Sequence, residues 1–343
     1  MKPTPIANPP NPWASTELEY LDEVPLAKVE IFEDASQSIL ASNDSPDLGF
    51  RFSANPYRGC NHACAYCYAR PSHEYLSFGA GTDFDTKIVV KRRAAELLRA
   101  AFDRPSWKGD LVMFSGVTDC YQPLEASLRL TRACLEVCAT YRNPVAIVTK
   151  APLIERDLDV LLRLHRDASV HVAISIPIWD QTLARALEPG VATPKRRLQT
   201  IRTLADAGIP VGVMVAPIIP GVSDEGMAEV LEAAHAAGAR TAGYVLLRLP
   251  GHVKEVFEAR VRAALPLRAE KILHRLRETR DGKLYDARFG VRGRGEGPYA
   301  EAIAQVFEVT TKRLGLNAGD DDEWTRPETF RRPERPEPQL SLF

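Results

Sequence analysis

The 343-residue chain has no stretch that approaches the roughly 18–20 continuous apolar residues needed to cross a bilayer. Charge of neither sign dominates. Lys and Arg number 44 against 45 Asp and Glu, a net charge of −1, which argues against a general basic coat for nucleic acid while leaving room for a local patch. The first eleven residues are proline-rich and lack an apolar centre, unlike a signal peptide or a lipidation site. Cysteine is scarce, six in all, and no second Cys or His knuckle of the kind that completes a zinc site occurs. No internal repeat is evident. Unpaired, reduced cysteines lead to the expectation of a cytoplasmic protein with no membrane attachment. The length is enough for one large domain or two small ones.

Half of those cysteines fall in one short run, Asn55-Pro56-Tyr57-Arg58-Gly59-Cys60-Asn61-His62-Ala63-Cys64-Ala65-Tyr66-Cys67-Tyr68. The spacing is Cys-x₃-Cys-x₂-Cys with an aromatic residue before the third. Three thiolates on one loop can hold three irons of a [4Fe–4S] cluster and leave the fourth iron open to a small molecule. The alternatives are a zinc site completed by a distant ligand, or buried thiols, with His62 a further ligand or loop surface. Cys134 and Cys138 lie four apart on an expected helix, where burial as small hydrophobes is the simplest reading.

From about residue 46 to 250, short apolar runs alternate with helical patterns. The expected strands are 50–54, 111–115, 145–149, 170–176, 211–216 and 244–247, rich in Val, Ile and Leu as in strands covered on both faces. The expected helices between them are 91–102, 124–141, 154–166, 194–207 and 224–237. Pro194 suits a first helical turn and Gly208 and Gly238 suit C-terminal caps. The alternation predicts parallel strands with right-handed crossovers, an α/β partial (β/α)6 barrel. Residues 1–45 are expected as an extended arm and 251–316 as a basic helical extension, with 14 Lys and Arg against 9 Asp and Glu. Within it Arg288, Arg292 and Arg294 flank Gly-rich turns, suited to following phosphates or simply a solvated surface. Residues 317–343 have little with which to build a core and are expected to be disordered.

The cysteine spacing, with Tyr66 before the last cysteine, resembles the radical S-adenosylmethionine (SAM) superfamily over about residues 50–250. That resemblance implies a [4Fe–4S] cluster on Cys60, Cys64 and Cys67, reduced by an external electron donor, which cleaves SAM to a 5′-deoxyadenosyl radical. It places the loop after the first strand, at the end where β/α barrels carry their chemistry. The second strand runs into Ser115-Gly116-Val117-Thr118-Asp119-Cys120-Tyr121, where small and polar residues can receive the methionine moiety. This segment resembles the spore photoproduct lyase branch, and nearly the whole chain is similar to an uncharacterised, lyase-like radical SAM family. By that resemblance Thr118, Lys150 and Ser175 match SAM-contacting positions, Tyr66 lies near the adenine, and the segment after 211–216 flanks it. Ser115, Gly116 and Asp119 complete the expected pocket. The lyase's hydrogen-donating cysteine has no counterpart, since Gly116 stands there. Cys120, Tyr121 and Tyr68 are the candidate donors. His73, Glu74 and Glu125 are further polar residues near the expected mouth.

The chain ends Gln339-Leu340-Ser341-Leu342-Phe343, which resembles the binding motif for the bacterial DNA polymerase sliding clamp. A Pro-rich leader would present two Leu and a Phe to an apolar groove, and a clamp tether raises local concentration on DNA. The alternative is an apolar tail folded onto its own domain. Together the motifs lead to the expectation of a radical enzyme that repairs a DNA lesion. An RNA or protein substrate, or a non-catalytic clamp-associated iron–sulfur sensor, are the alternatives.

Overall fold

A computed structural model describes residues 28–318 and 327–334. Its first short strands are β1 (Glu30–Glu33) and β2 (Leu40–Ser42). They are followed by β3 (Phe52–Ala54), β4 (Tyr57–Arg58), a 3-10 segment Arg70–Leu76, α1 (Thr82–Thr86), β5 (Lys87–Val90) and α2 (Ala94–Phe102). Next come β6 (Val112–Phe114), α3 (Glu125–Leu128), α4 (Leu130–Tyr141), β7 (Val145–Thr149), α5 (Leu158–Asp167) and β8 (Val170–Ser175). The chain continues through α6 (Gln181–Leu187), α7 (Pro194–Asp206), β9 (Val211–Ile218), α8 (Met227–Ala236) and β10 (Thr241–Leu246). It closes with α9 (Val253–Ala264), α10 (Ala269–Glu278) and α11 (Pro298–Leu314).

The six strands read from the sequence are β3, β6, β7, β8, β9 and β10. They lie side by side in the order β10-β9-β8-β7-β6-β3 and every pair is parallel, with β2 antiparallel on the β3 edge. This is the partial (β/α)6 barrel. Central strand β8 is buried at all six positions, which explains why it reads as a continuous apolar run rather than an alternating one. A second small sheet, β1-β5-β4, was not anticipated. Its strands are too short to carry a periodic signal, and β1 and β2 both arise from the segment read as an extended arm.

Two expected helices are interrupted. The run 124–141 splits into α3 and α4 because Arg129 takes a left-handed conformation, φ 54°. The start of 154–166 is a 3-10 turn, Pro152–Asp157, with Pro152 at its first position. Pro194 opens α7 behind the capping hydroxyl of Thr193, which accepts from the Arg196 N–H at 3.3 Å. Residues 327–334, inside the stretch read as a disordered tail, pack on the barrel. Phe330 is buried against Phe102 and Tyr141, and Arg332 donates to the carbonyls of Phe102, Arg104 and Trp107.

Candidate active site

The three-cysteine loop leaves β3 and β4 and returns over the C-terminal ends of the barrel strands. Gly59 starts it at φ +79°, where a Cβ would meet His73 Cε1 and the Lys87 carbonyl at 2.9 Å each, so only glycine fits. The loop is then tied at nearly every residue. The Cys60 N–H donates to the Phe84 carbonyl at 2.9 Å. The Asn61 N–H donates to Gln122 Oε1 at 3.1 Å and its side chain to the Asp85 carbonyl at 2.7 Å. The Ala65 N–H donates to the Leu187 carbonyl at 2.9 Å. His62 is buried, not loop surface, because Asp119 Oδ2 lies 3.3 Å from its Nδ1.

All six cysteines are free. Among the described residues no three His, Cys, Asp or Glu side chains converge on one ion position. The three cysteines suit a larger multinuclear group. Three sulfurs are presented from a loop fixed independently of any metal. Burial pushes the Cys60 and Cys67 thiols up and the Cys64 thiol to about 12, so thiolate ligands there call for the positive charge that iron brings.

Beside the loop, residues from four elements converge. Lys150, just past β7, donates from Nζ to Ser175 Oγ at 2.8 Å, and Ser175 at the end of β8 donates to the Ala216 carbonyl at 3.0 Å. The Lys150 ammonium also sits 5.8 Å from the Tyr66 ring centroid and 3.9 Å from Glu188 Oε1. Glu188 follows α6, is fully enclosed, and accepts from the Tyr66 hydroxyl and, at 2.6 Å, from Arg197. Arg197 also donates to the Ser175 carbonyl at 2.8 Å, while its Nε finds no partner. Burial would raise the Glu188 carboxyl pKa, but Arg197 and Lys150 outweigh it and hold the group ionised. Tyr66, Lys150 and Ser175 are thus brought together with Glu188 as a cluster of two hydroxyls, an ammonium and a carboxylate able to grip a zwitterion. Glu188 and Arg197 were missed by sequence reasoning. They stand outside any motif, and only the fold carries them to Lys150.

The segment after β6 is structural in part. Ser115 takes φ 77° and its Oγ accepts the Cys120 N–H at 2.9 Å. The Gly116 carbonyl accepts the Tyr68 hydroxyl at 2.6 Å. Thr118 donates to the Tyr57 carbonyl at 3.0 Å. Asp119 accepts from the Thr149 hydroxyl at 2.6 Å, the Lys150 N–H at 2.8 Å and the Tyr121 N–H at 2.9 Å. Burial raises its carboxyl pKa, but His62 and these donors bring it down to about 2. Asp119 therefore fixes the loop and the end of β7 to each other.

The three hydrogen-donor candidates do not share one place. Cys120 is wholly buried in the core around the sheet, and its thiol is pushed far above its ordinary range by burial. The Tyr121 hydroxyl donates to Asp157 at 3.1 Å, in the helical layer where Arg132 and Arg156 pair with the same carboxylate. Tyr68 is about half exposed, its ring beside Arg248 at 5.4 Å. Glu125 is also a helical-layer residue, accepting from Tyr57 and Arg156. His73 contacts the Lys87 carbonyl, and Glu74 pairs with His252.

The loop carrying Arg288, Arg292 and Arg294 lies apart from this group. It is pinned by the buried Arg280 to Leu247, just past β10, and by Arg292 to Asp47 and Ser45. Arg288 pairs with Asp286 and Glu296, and Arg294 lies over the Tyr244 ring. Gln339, Leu340, Ser341, Leu342 and Phe343 lie outside the described residues. A cavity of about 700 Å³ borders the outer side of the cysteine loop at Asn61 and Ala63 and reaches Glu188 and Arg197. The three cysteines, Lys150 and Ser175 are not among its walls, so the chemistry is placed by the side chains rather than by this cavity.

A parallel α/β partial barrel with three cysteines on the loop after its first strand defines an iron–sulfur enzyme scaffold. Residues 54–234 match the model of the radical SAM superfamily, more than half of the chain, and the chain belongs to that superfamily. Its members use a [4Fe–4S] cluster and SAM. An uncharacterised protein of Mycobacterium tuberculosis (strain ATCC 25618 / H37Rv) is 41% identical over 212 residues, 61% of this chain and 62% of that protein. One from Methanocaldococcus jannaschii is 29% identical over 198 residues, 58% of this chain and 71% of that protein. The chain thus spans about three fifths of the mycobacterial relative. Among solved structures, spore photoproduct lyase complexed with dinucleoside spore photoproduct aligns with a TM-score of 0.59 at 17% identity, over 83% of this chain and 80% of the lyase. A lyase variant with bound AdoMet and the same dinucleoside gives 0.56 at 19% identity, over 83% and 77%. These likenesses show the fold.

Proposed function

We propose that this radical SAM protein is a lyase-like enzyme that repairs a DNA lesion. The observation that carries the reading is the Tyr66, Lys150, Ser175 and Glu188 group beside the three-cysteine loop, on a fold shared with spore photoproduct lyase over 83% of the chain. Cys60, Cys64 and Cys67 hold the cluster. When bound, the reduced cluster and SAM supply a 5′-deoxyadenosyl radical. Lys150 and Ser175 Oγ would hold the carboxylate of SAM, and Glu188 would keep the lysine aimed. Tyr66 flanks the adenine. Ser115, Gly116, Thr118 and Asp119 hold the backbone at the mouth. Tyr68, with its ring partly exposed, is the candidate to return a hydrogen atom to the product, ahead of the enclosed Cys120 and the committed Tyr121. The cofactors supply the hard chemistry and the barrel orients it. Gln339 to Phe343 would tether the enzyme to the sliding clamp.

The test is anaerobic. Reconstituted protein receives dithionite and SAM, and 5′-deoxyadenosine is quantified with and without UV-irradiated DNA. Stimulation together with loss of a photoproduct is expected. Lys150→Met should raise the SAM concentration for half-maximal turnover at least tenfold. Turnover indifferent to any damaged DNA overturns the repair reading. One observation favours a second reading, a protein side chain as substrate: Arg288 and Arg292 are already paired with carboxylates, which weakens their claim on the phosphates of any nucleic acid. Deleting the last five residues separates the two, because only clamp-delivered repair should lose cellular function.

A further inference from the structure

The backbone of the cysteine loop is gripped from below by a buried ionic triad. Arg70, wholly enclosed, donates from Nε and Nη2 to the Cys64 carbonyl at 3.2 and 2.8 Å, and from Nη1 to the carbonyls of Ala80 and Gly81. Its Nη2 also meets Asp85 Oδ1 at 2.8 Å. Asp85 Oδ2 takes the second guanidinium, Arg260, at 2.9 Å. Arg260 reaches on to the Ala63 carbonyl at 3.2 Å, at a residue held in the left-handed region, φ 53°. Asp85 also receives Asn61 at its own carbonyl. Two arginines share one carboxylate, so the triad carries a net charge of +1. All three side chains are at least nine-tenths buried. Water screens such a charge weakly.

Arg260 lies in α9, beyond the stretch 54–234 that matches the superfamily model. We infer that Arg260 is a positioning residue of the cluster site, and that the Arg70–Asp85–Arg260 triad sets the cluster's reduction potential as well as the shape of its loop. The inference rests on Cys60, Cys64 and Cys67 being the ligands. A cluster on three thiolates gains negative charge on reduction, and a fixed positive charge behind the Ala63 and Cys64 carbonyls favours the reduced form. The potentials of such clusters follow net charge and hydrogen bonding around them.

The signs of two substitutions are opposite. Arg260→Gln removes the excess charge while keeping a donor for the Ala63 carbonyl. At a fixed ambient potential the reduced-to-oxidised ratio should fall about tenfold, a shift of about 59 mV for one electron. Asp85→Asn adds to the excess and should raise that ratio by a similar factor. Arg260→Lys keeps the charge and loses the fork, so its potential should stay near wild type. Its thiols, before iron is added, should react faster with a disulfide reagent because the loop is held less firmly. The measurement is a redox titration of the full-length, reconstituted protein followed by electron paramagnetic resonance, with thiol labelling of the metal-free protein beside it. A wild-type protein with no [4Fe–4S] signal sinks the ligand reading and this inference with it. A wild-type cluster whose potential is the same in Arg260→Gln and Asp85→Asn sinks this inference alone. If neither of those variants folds, Arg260→Lys decides: a reduced-to-oxidised ratio moved tenfold at the same ambient potential, or labelling as slow as wild type, refutes it.

Discussion

Gly190 is the residue whose enlargement should most directly disturb the cluster loop. It lies in the turn after α6, and its N–H donates to the His62 carbonyl at 3.1 Å. A Cβ added there would meet the Asn61 carbonyl oxygen at 2.3 Å and His62 Cα and carbonyl oxygen at 3.0 Å. Ordinary contact begins near 3.4 Å, so one side must retreat by 3.4 − 2.3, or 1.1 Å. No side-chain rotation can relieve this, because every clashing atom is backbone. If the loop retreats, it strains the bonds from Asn61 to Gln122 and Asp85 and the His62–Asp119 pair. If the turn retreats, it pulls on Glu188, which is locked to Arg197 and Tyr66. Overpacking of this kind costs about 1–3 kcal/mol, and loss of one buried hydrogen bond about 1 more. Gly190→Ala should therefore lose about 2–4 kcal/mol in urea unfolding and hold far less iron after anaerobic reconstitution. Gly208→Ala is the control. It has φ +81° but nothing within 4 Å of its Cβ, so it pays only the backbone term of roughly 1–2 kcal/mol and keeps its iron. The reasoning is refuted if Gly190→Ala matches Gly208→Ala in stability and loads iron like the wild type.

Three further outcomes are expected. Glu188→Gln leaves Arg197 without its carboxylate in an enclosed site and should cost about 3 kcal/mol, with SAM binding weakened in a filter assay. An unchanged urea midpoint would show that the pair adds nothing. His73 and His171 are both buried, and burial depresses each from 6.5 to about 4. The folded state therefore resists protonation, so their contribution is complete above pH 6.5 and is lost as pH falls through the window 6.5 to 4. By linkage each should cost about 1.3 kcal/mol between pH 7.5 and 5.5, read as a falling denaturation midpoint; a flat profile there contradicts the assignment. Phe330→Ala should destabilise by about 3 kcal/mol by emptying the aromatic contact with Phe102 and Tyr141. Melting at the wild-type temperature would mean that residues 327–334 do not hold to the barrel in solution.

The barrel was legible because its central strands β7 and β8 are buried at nearly every position, which writes an apolar run into the sequence, and because Gly and Pro mark the helix ends. The cysteine loop was legible because its three cysteines are local in sequence. What escaped is what is short or distant. Strands β1, β4 and β5 hold two to four residues each, below the length at which period two can be seen. Arg129 breaks its helix through a left-handed backbone that no glycine announces. Lys150 and Ser175 were singled out by family resemblance at successive strand ends, and the fold brings them within 2.8 Å of each other. Glu188 and Arg197 sit on a connection whose path only the fold decides. His62 was misjudged because its partner, Asp119, comes from the next strand's loop.

The same distinction bears on where the functional unit ends. On its apolar side the cluster loop does not rest on the barrel strands alone. Cys64, Ala65 and Tyr66 share a buried cluster with Leu249, Val253, Phe257 and Val261, and with Ile272, Leu273 and Leu276 of α10. On its polar side Arg260 of α9 holds the Ala63 carbonyl. A loop that must present three sulfurs at fixed separations needs its backbone fixed before iron arrives, since each ordered residue costs about 1–2 kcal/mol of conformational entropy. Helices α9 and α10 supply that fixation from outside the stretch that carries the family pattern. The three-cysteine loop therefore depends on packing contributed some two hundred residues later in the chain, and the helical extension is part of its support rather than an appendage to it.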